Sequence, residues 1–216
     1  MILELIIFDF DGTLIDSAPD LVDSINEMLK EFNLKEASFN EAVKWIGNGS
    51  FKLVERALRY NGIEDEKFLE KAHRNFKEKY KHTNAKKTLL YAGAKELLKS
   101  LKDKNLALIT NKPDEYIKPI LKKFDIDVFD FILGGDFEYK KPSPIPLLRA
   151  CEYFNVNPNE AVMIGDSKND ILAAKNAKIK SIAVTHGYNQ GVDIKSFNPD
   201  FTAHSLKKIK DIIDAM

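Results

Sequence analysis

The chain has 216 residues, 44% of them hydrophobic, and its 33 basic residues are balanced by 33 acidic ones. That is enough apolar material for one large domain or two small ones. A formal charge of zero with no basic block gives no footprint of a nucleic-acid or membrane partner. Cys151 is the only cysteine, so an internal disulfide is excluded and a reducing compartment is expected.

The chain opens MILELIIFDFDG, an apolar run that is short, lacks a basic leader and stops at an aspartate. It reads as neither a signal peptide nor a membrane span, and no later run approaches spanning length, so a soluble cytoplasmic protein is expected. Residues 3–10 have the composition of a buried strand. Residues 18–82 read as nearly pure helix. Leu21, Val22, Ile25, Met28, Leu29 and Phe32 recur at helical spacing, as do Phe51, Val54, Ala57 and Leu58, and then Phe68, Leu69, Ala72, Phe76 and Tyr80. Gly47-Asn48-Gly49 and Asn61-Gly62 break the pattern as turns.

From about residue 88 apolar strands alternate with helices. Strands are predicted at Leu106–Thr110, Phe131–Leu133, Ala161–Ile164 and Lys180–Val184. Helices are predicted at Gly93–Lys102, Asp114–Phe124, Pro144–Phe154 and Ser167–Ala177, with an amphipathic C-terminal helix through Leu206, Ile209, Ile212 and Ile213. Short apolar strands separated by helices imply a parallel sheet covered on both faces, an α/β fold with a Rossmann-like core. The first strand belongs to that sheet by composition. The expected organisation is therefore a discontinuous core, residues 1–15 and 88–216, interrupted by a helical cap at residues 16–87.

Ligands of open parallel sheets bind at the carboxyl ends of the strands. The first strand ends in Asp9-Phe10-Asp11-Gly12-Thr13, the second in Thr110-Asn111-Lys112-Pro113, and the Ala161–Ile164 run in Gly165-Asp166-Ser167-Lys168-Asn169-Asp170; Lys141 precedes Pro142 after a further strand. Four acids, a hydroxyl and a cation at strand ends suit a phosphate together with a divalent metal. A carboxylate attacking a phosphate dianion meets strong repulsion, which a shared magnesium ion offsets. Asp9 is the candidate nucleophile. Asp11, two residues on, is the candidate acid and base; a neighbouring carboxylate would help it hold a proton, while the metal would oppose this. Asp9, the Asp11 carbonyl, Asp166 and Asp170 are the candidate metal ligands, although Asp170 also reads as a charge at a helix N-terminus. Thr110 and Lys141 are placed to bind phosphoryl oxygens and balance charge. Asn111 beside Thr110, and Asn48 in its turn, are further candidates for touching substrate. Thr13 and Ser17 read as turn or capping residues, Cys151 and Trp45 as core, and the four histidines show no metal spacing.

FDFDGTLIDS (8–17), the Thr110 strand end, Lys141 and GDSKND (165–170) resemble, in order, the four motifs of the haloacid dehalogenase superfamily. The helical segment after the first motif resembles the small cap of the group containing phosphoglycolate phosphatase and β-phosphoglucomutase. IGNGS (46–50), TNKP (110–113), GGDFEYKKPSPIPLL (134–148), GDSKNDILAAK (165–175) and THGYN (185–189) resemble the phosphoglycolate phosphatases of that group. The resemblance implies a Mg2+-dependent phosphatase acting on a small phosphorylated metabolite, most simply 2-phosphoglycolate, through a phosphorylated Asp9. It implies a monomer or homodimer with no nucleic-acid or membrane partner. A phosphotransferase of the β-phosphoglucomutase kind, a pyrophosphatase, and a sugar or nucleotide phosphatase use the same first steps and are the alternatives. A dehalogenase and a phosphoaspartate receiver fit less well, the first because of Asp11 and the acid pair, the second because of the cap. Lys178 departs from the pattern, standing where similar sequences carry a glycine, and a weaker helix C-cap is expected there.

Overall fold

The structure, a computed structural model, describes residues 3–216. Strand β1 (Leu5–Phe8) is followed by a two-residue strand β2 (Ile15–Asp16) and four helices: α1 (Ala18–Glu31), α2 (Phe39–Ala42), α3 (Ser50–Tyr60) and α4 (Glu66–Thr83). After β3 (Leu89–Leu90) the chain alternates: α5 (Ala94–Ser100), β4 (Asn105–Ile109), α6 (Ile117–Phe124), β5 (Phe131–Leu133), α7 (Ile145–Phe154), β6 (Ala161–Gly165), α8 (Lys168–Ala177) and β7 (Lys180–Val184). It ends with β8 (Phe201–Ala203) and α9 (Lys207–Asp214).

The main sheet has six strands in the order β5-β4-β1-β6-β7-β8, all parallel. Its central strand β1 reads LIIF and every residue is buried. Because side chains alternate across a strand, Ile6 and Phe8 pack under α5, α6 and α9 while Leu5 and Ile7 pack under α7 and α8. Burial on both faces is why the strand is a continuous apolar run rather than an alternating one. Ile209 and Ile213 of α9 are buried in the first of these layers, and Cys151 of α7 in the second.

The four helices after β2 gather around a separate apolar cluster that includes Ile25, Met28, Val54, Ala72 and Phe76. Trp45 lies at the margin of that cluster, partly buried against Tyr60. The two chain segments joining these helices to the sheet pair as an antiparallel ribbon, Ile15 with Leu90 and Asp16 with Leu89. That ribbon was absent from the sequence reading, as was β8. A pair of two-residue strands carries no readable period, and β8 is an edge strand exposed along most of its length. Among the described residues no helix is long and apolar enough to cross a membrane.

Candidate active site

The carboxyl ends of β1, β4 and β6 converge because the strands are parallel and in close register. Asp9 follows β1 directly and its amide donates to the Ile164 carbonyl of β6 (2.9 Å); Thr110 follows β4 and its amide donates to Leu133 of β5 (3.1 Å). Above them lies a pocket of ≈ 720 Å³, its open mouth included, with Asp9, Asp11, Thr110, Lys141 and Asp166 on the sheet side. The opposite wall is apolar and comes from the helical cluster: Leu21, Ile46, Leu53 and Phe76.

Lys141 is buried and faces three oxygens: it donates to Asp170 Oδ1 and to the Ile109 carbonyl, both at 2.6 Å, and pairs with Asp9 Oδ1 at 2.8 Å. Burial alone would lower its pKa, but Asp170 and Asp9 outweigh that and hold it above the ordinary lysine range. Asn111 was expected to touch substrate. Its amide bonds the Lys141 backbone, donating to the carbonyl (3.0 Å) and accepting from the amide (3.1 Å), so it clamps the loop that carries the lysine while lining the same pocket.

Asp9, Asp166 and Asp170 each offer an oxygen within 4.8 Å of the others. Burial, and next Asp170, push Asp9 up to about 7. Burial, with Asp9 and Asp170, also raises Asp166 well above the usual carboxylate range. Three crowded buried acids are what a hard divalent cation relieves, so the donor set suits one. Asp166 accepts from the Thr13 hydroxyl (2.9 Å) and the Tyr188 amide (2.6 Å). Two glycines make room for it: a Cβ on Gly12 (φ +85°) or on Gly187 would lie 2.3 Å from Asp166 Oδ2. Asp170 is the most heavily engaged. Besides Lys141, it accepts from the Ser167 amide (3.0 Å) and hydroxyl (2.7 Å), closing the capping box that starts α8.

Asp11 lies apart from the three acids. Its Oδ1 accepts from the Ser17 hydroxyl at 2.5 Å and the Lys112 ammonium at 3.0 Å. Ser17, read as a cap, makes no side-chain cap bond to α1, and Thr13 sits in a turn as expected, its amide donating to the Phe10 carbonyl (3.2 Å), while its hydroxyl serves Asp166. Lys112 received no role in the sequence reading, yet it is buried with its Nζ also on the Tyr80 hydroxyl of α4 (2.5 Å). Burial would lower Lys112, but Asp11 and Tyr80 outweigh it and raise the ammonium; burial pushes the Tyr80 phenol up to about 12. No spacing rule would have found Lys112. Its signal was only its place two residues after Thr110.

Asn48 reaches the sheet side of the pocket, donating to Asn169 Oδ1 at 3.2 Å. Arg56 holds the turn that carries it, donating to the carbonyls of Trp45 (2.6 Å) and Gly47 (2.9 Å) and to Asn48 Oδ1 (3.0 Å). Asn48 (φ 66°) sits in the left-handed region between Gly47 and Gly49, a conformation asparagine tolerates.

A sequence profile described as haloacid dehalogenase-like hydrolase matches residues 6–184. The chain is similar to a phosphoglycolate phosphatase of Psychrobacter arcticus, 44% identical with 93% of each chain covered. It is also similar to one of Vibrio vulnificus, 39% identical over 98% of this chain and 96% of the other. Among solved structures it resembles a predicted phosphoglycolate phosphatase from Haemophilus somnus 129pt, at 37% identity and a TM-score of 0.93 with 97% of each chain covered.

Proposed function

The chain belongs to the haloacid dehalogenase-like hydrolase family, and from that premise we propose that it is a magnesium-dependent phosphatase that converts 2-phosphoglycolate to glycolate and phosphate. The observation that carries the chemistry is the buried set of Asp9, Asp166 and Asp170 around Lys141. The names of the relatives at 37–44% identity carry the substrate.

Asp9, the Asp11 carbonyl and Asp166 would hold the cation directly. Asp170, whose oxygens already accept from Lys141 and Ser167, would complete the site at one remove. Magnesium, when bound, supplies positive charge against the phosphate dianion and the crowded carboxylates. Asp9 attacks phosphorus and forms an aspartyl phosphate while Asp11 gives its proton to the departing glycolate oxygen. Asp11 then takes a proton from the water that hydrolyses the intermediate. The Thr110 hydroxyl accepts from the Lys112 amide (3.2 Å), which leaves its own proton for a phosphoryl oxygen. Lys141 stays between Asp9 and Asp170 throughout, so its charge is in place before the reaction begins.

Residues 16–87 act in this reading as a cap over a core of residues 1–15 and 88–216. Its apolar wall excludes water from the first step. The single cysteine agrees with work in the cytoplasm.

The test is phosphate release from 2-phosphoglycolate, pyrophosphate, glucose phosphates, a nucleoside monophosphate and p-nitrophenyl phosphate, with magnesium and with a chelator. The expected result is release that requires magnesium and is fastest from 2-phosphoglycolate. Equal rates with every ester would remove the substrate, and isomerisation of a glucose phosphate without net release would replace the phosphatase by a phosphotransferase.

A further inference from the structure

Two cationic side chains line the pocket among the described residues, Lys112 and Lys141, and they are not equivalent. An ammonium has three protons to donate. Lys141 donates to Asp170 and the Ile109 carbonyl and is ion-paired with Asp9 at 2.8 Å, so its charge is taken up by two carboxylates. Lys112 spends two, on Asp11 Oδ1 at 3.0 Å and Tyr80 Oη at 2.5 Å, although its side chain is only 3% exposed. Its third N–H meets no acceptor among the described residues. The Tyr80 hydroxyl accepts from Lys112 and donates to no acceptor among the described residues, and that residue is 2% exposed. A buried donor left without a partner is costly, and two of them 2.5 Å apart on one pocket wall form a place for an anion.

We propose that Lys112 Nζ and the Tyr80 hydroxyl bind the carboxylate of the substrate, so that the pocket selects phosphate esters of small carboxylic acids. This rests on the phosphatase reading above and assigns its specificity to one core residue and one helical-cap residue. The phosphoryl group goes to the Asp9 and Lys141 side, and the carboxylate to the Lys112 and Tyr80 side. Other groups on the cap side are poorly placed to read a neutral substrate. The Asn48 amide is engaged with Asn169 and Arg56, and Ser50 Oγ with His73. A sugar phosphate would therefore find an apolar wall where its hydroxyls need partners.

The test compares 2-phosphoglycolate with 2-hydroxyethyl phosphate, which carries a CH2OH where the first has its carboxylate. Lys112→Met should lower the ratio of kcat/KM for the two esters by roughly tenfold or more, and Tyr80→Phe by roughly threefold to tenfold. The ratio cancels any general loss from leaving Asp11 without its cation. A second measurement needs no turnover: calorimetric binding of both esters in an Asp9→Asn background, with and without Lys112→Met. The lysine substitution should weaken 2-phosphoglycolate roughly tenfold and leave 2-hydroxyethyl phosphate within about threefold. Equal losses for the two esters, in rate or in binding, would overturn the proposal and leave Lys112 as a partner of Asp11 alone. Tyr80→Phe, which removes one oxygen, guards against a folding failure at the buried lysine. If no ester releases phosphate the phosphatase reading falls, and the binding comparison still judges the carboxylate site.

Discussion

A buried carboxylate is tolerated only in company, and each acid of this site has a different company. Asp9 and Asp170 share Lys141, Asp166 is held by a hydroxyl and a backbone amide, and Asp11 pairs with a second lysine. Asp9→Asn should therefore abolish phosphate release and spare the fold. Lys141 would keep Asp170 and the Ile109 carbonyl as acceptors, and a desolvated charge would be removed. Circular dichroism and a urea midpoint within about 1 kcal/mol of the parent, with no detectable turnover, is the expected outcome. Retained turnover would sink the covalent route.

Two elements carry structural devices of their own. The crossing ribbon is braced by Asp20 of α1, a buried acid that accepts from the Lys87 amide (2.8 Å), the Thr88 amide (2.9 Å) and the Thr88 hydroxyl (2.5 Å). Asp20→Ala would strand those donors beside β3, and urea denaturation should find a loss of about 3 kcal/mol. A change below about 1 kcal/mol would mean that water replaces the carboxylate. At the other end of the molecule α8 stops at Lys178, whose φ of 59° is the left-handed C-cap that glycine adopts without strain. Lys178→Gly should stabilise the fold by about 1 kcal/mol, less what the freer unfolded chain takes back, without altering phosphate release.

At the scale of the whole molecule the pocket lies between the sheet and the helical cluster, and the two sides touch through Asn48 and Asn169 and through Lys112 and Tyr80. The ribbon of β2 and β3 and the linkage of Tyr188 Oη with Asp16 and the Ala18 amide hold the crossing point. Pivoting there would open the pocket to substrate. Small-angle scattering should show a smaller radius of gyration once magnesium and a phosphate analogue are added, and identical curves would count against such closure.

The amino-acid sequence by itself determined the α/β class, the buried central strand and the strand-end positions of Asp9, Thr110 and Asp166. Periodicity and turn chemistry are local, and the rule that parallel strands present their carboxyl ends together follows from topology. Only the tertiary structure decided who partners whom. Asn111 clamps the Lys141 loop from the pocket wall, the Ser17 hydroxyl at the start of α1 serves Asp11, and Lys112 joins Asp11 to Tyr80. Apart from the Ser17–Asp11 bond, six positions long, those contacts link residues far apart in the chain, from 30 positions for Asn111 and Lys141 to 101 for Asp11 and Lys112, and a hydrogen bond depends on angstroms and burial that no spacing encodes. The short ribbon and β8 were missed for the same reason: they are too brief to show a period and exist because neighbouring backbone offers them partners.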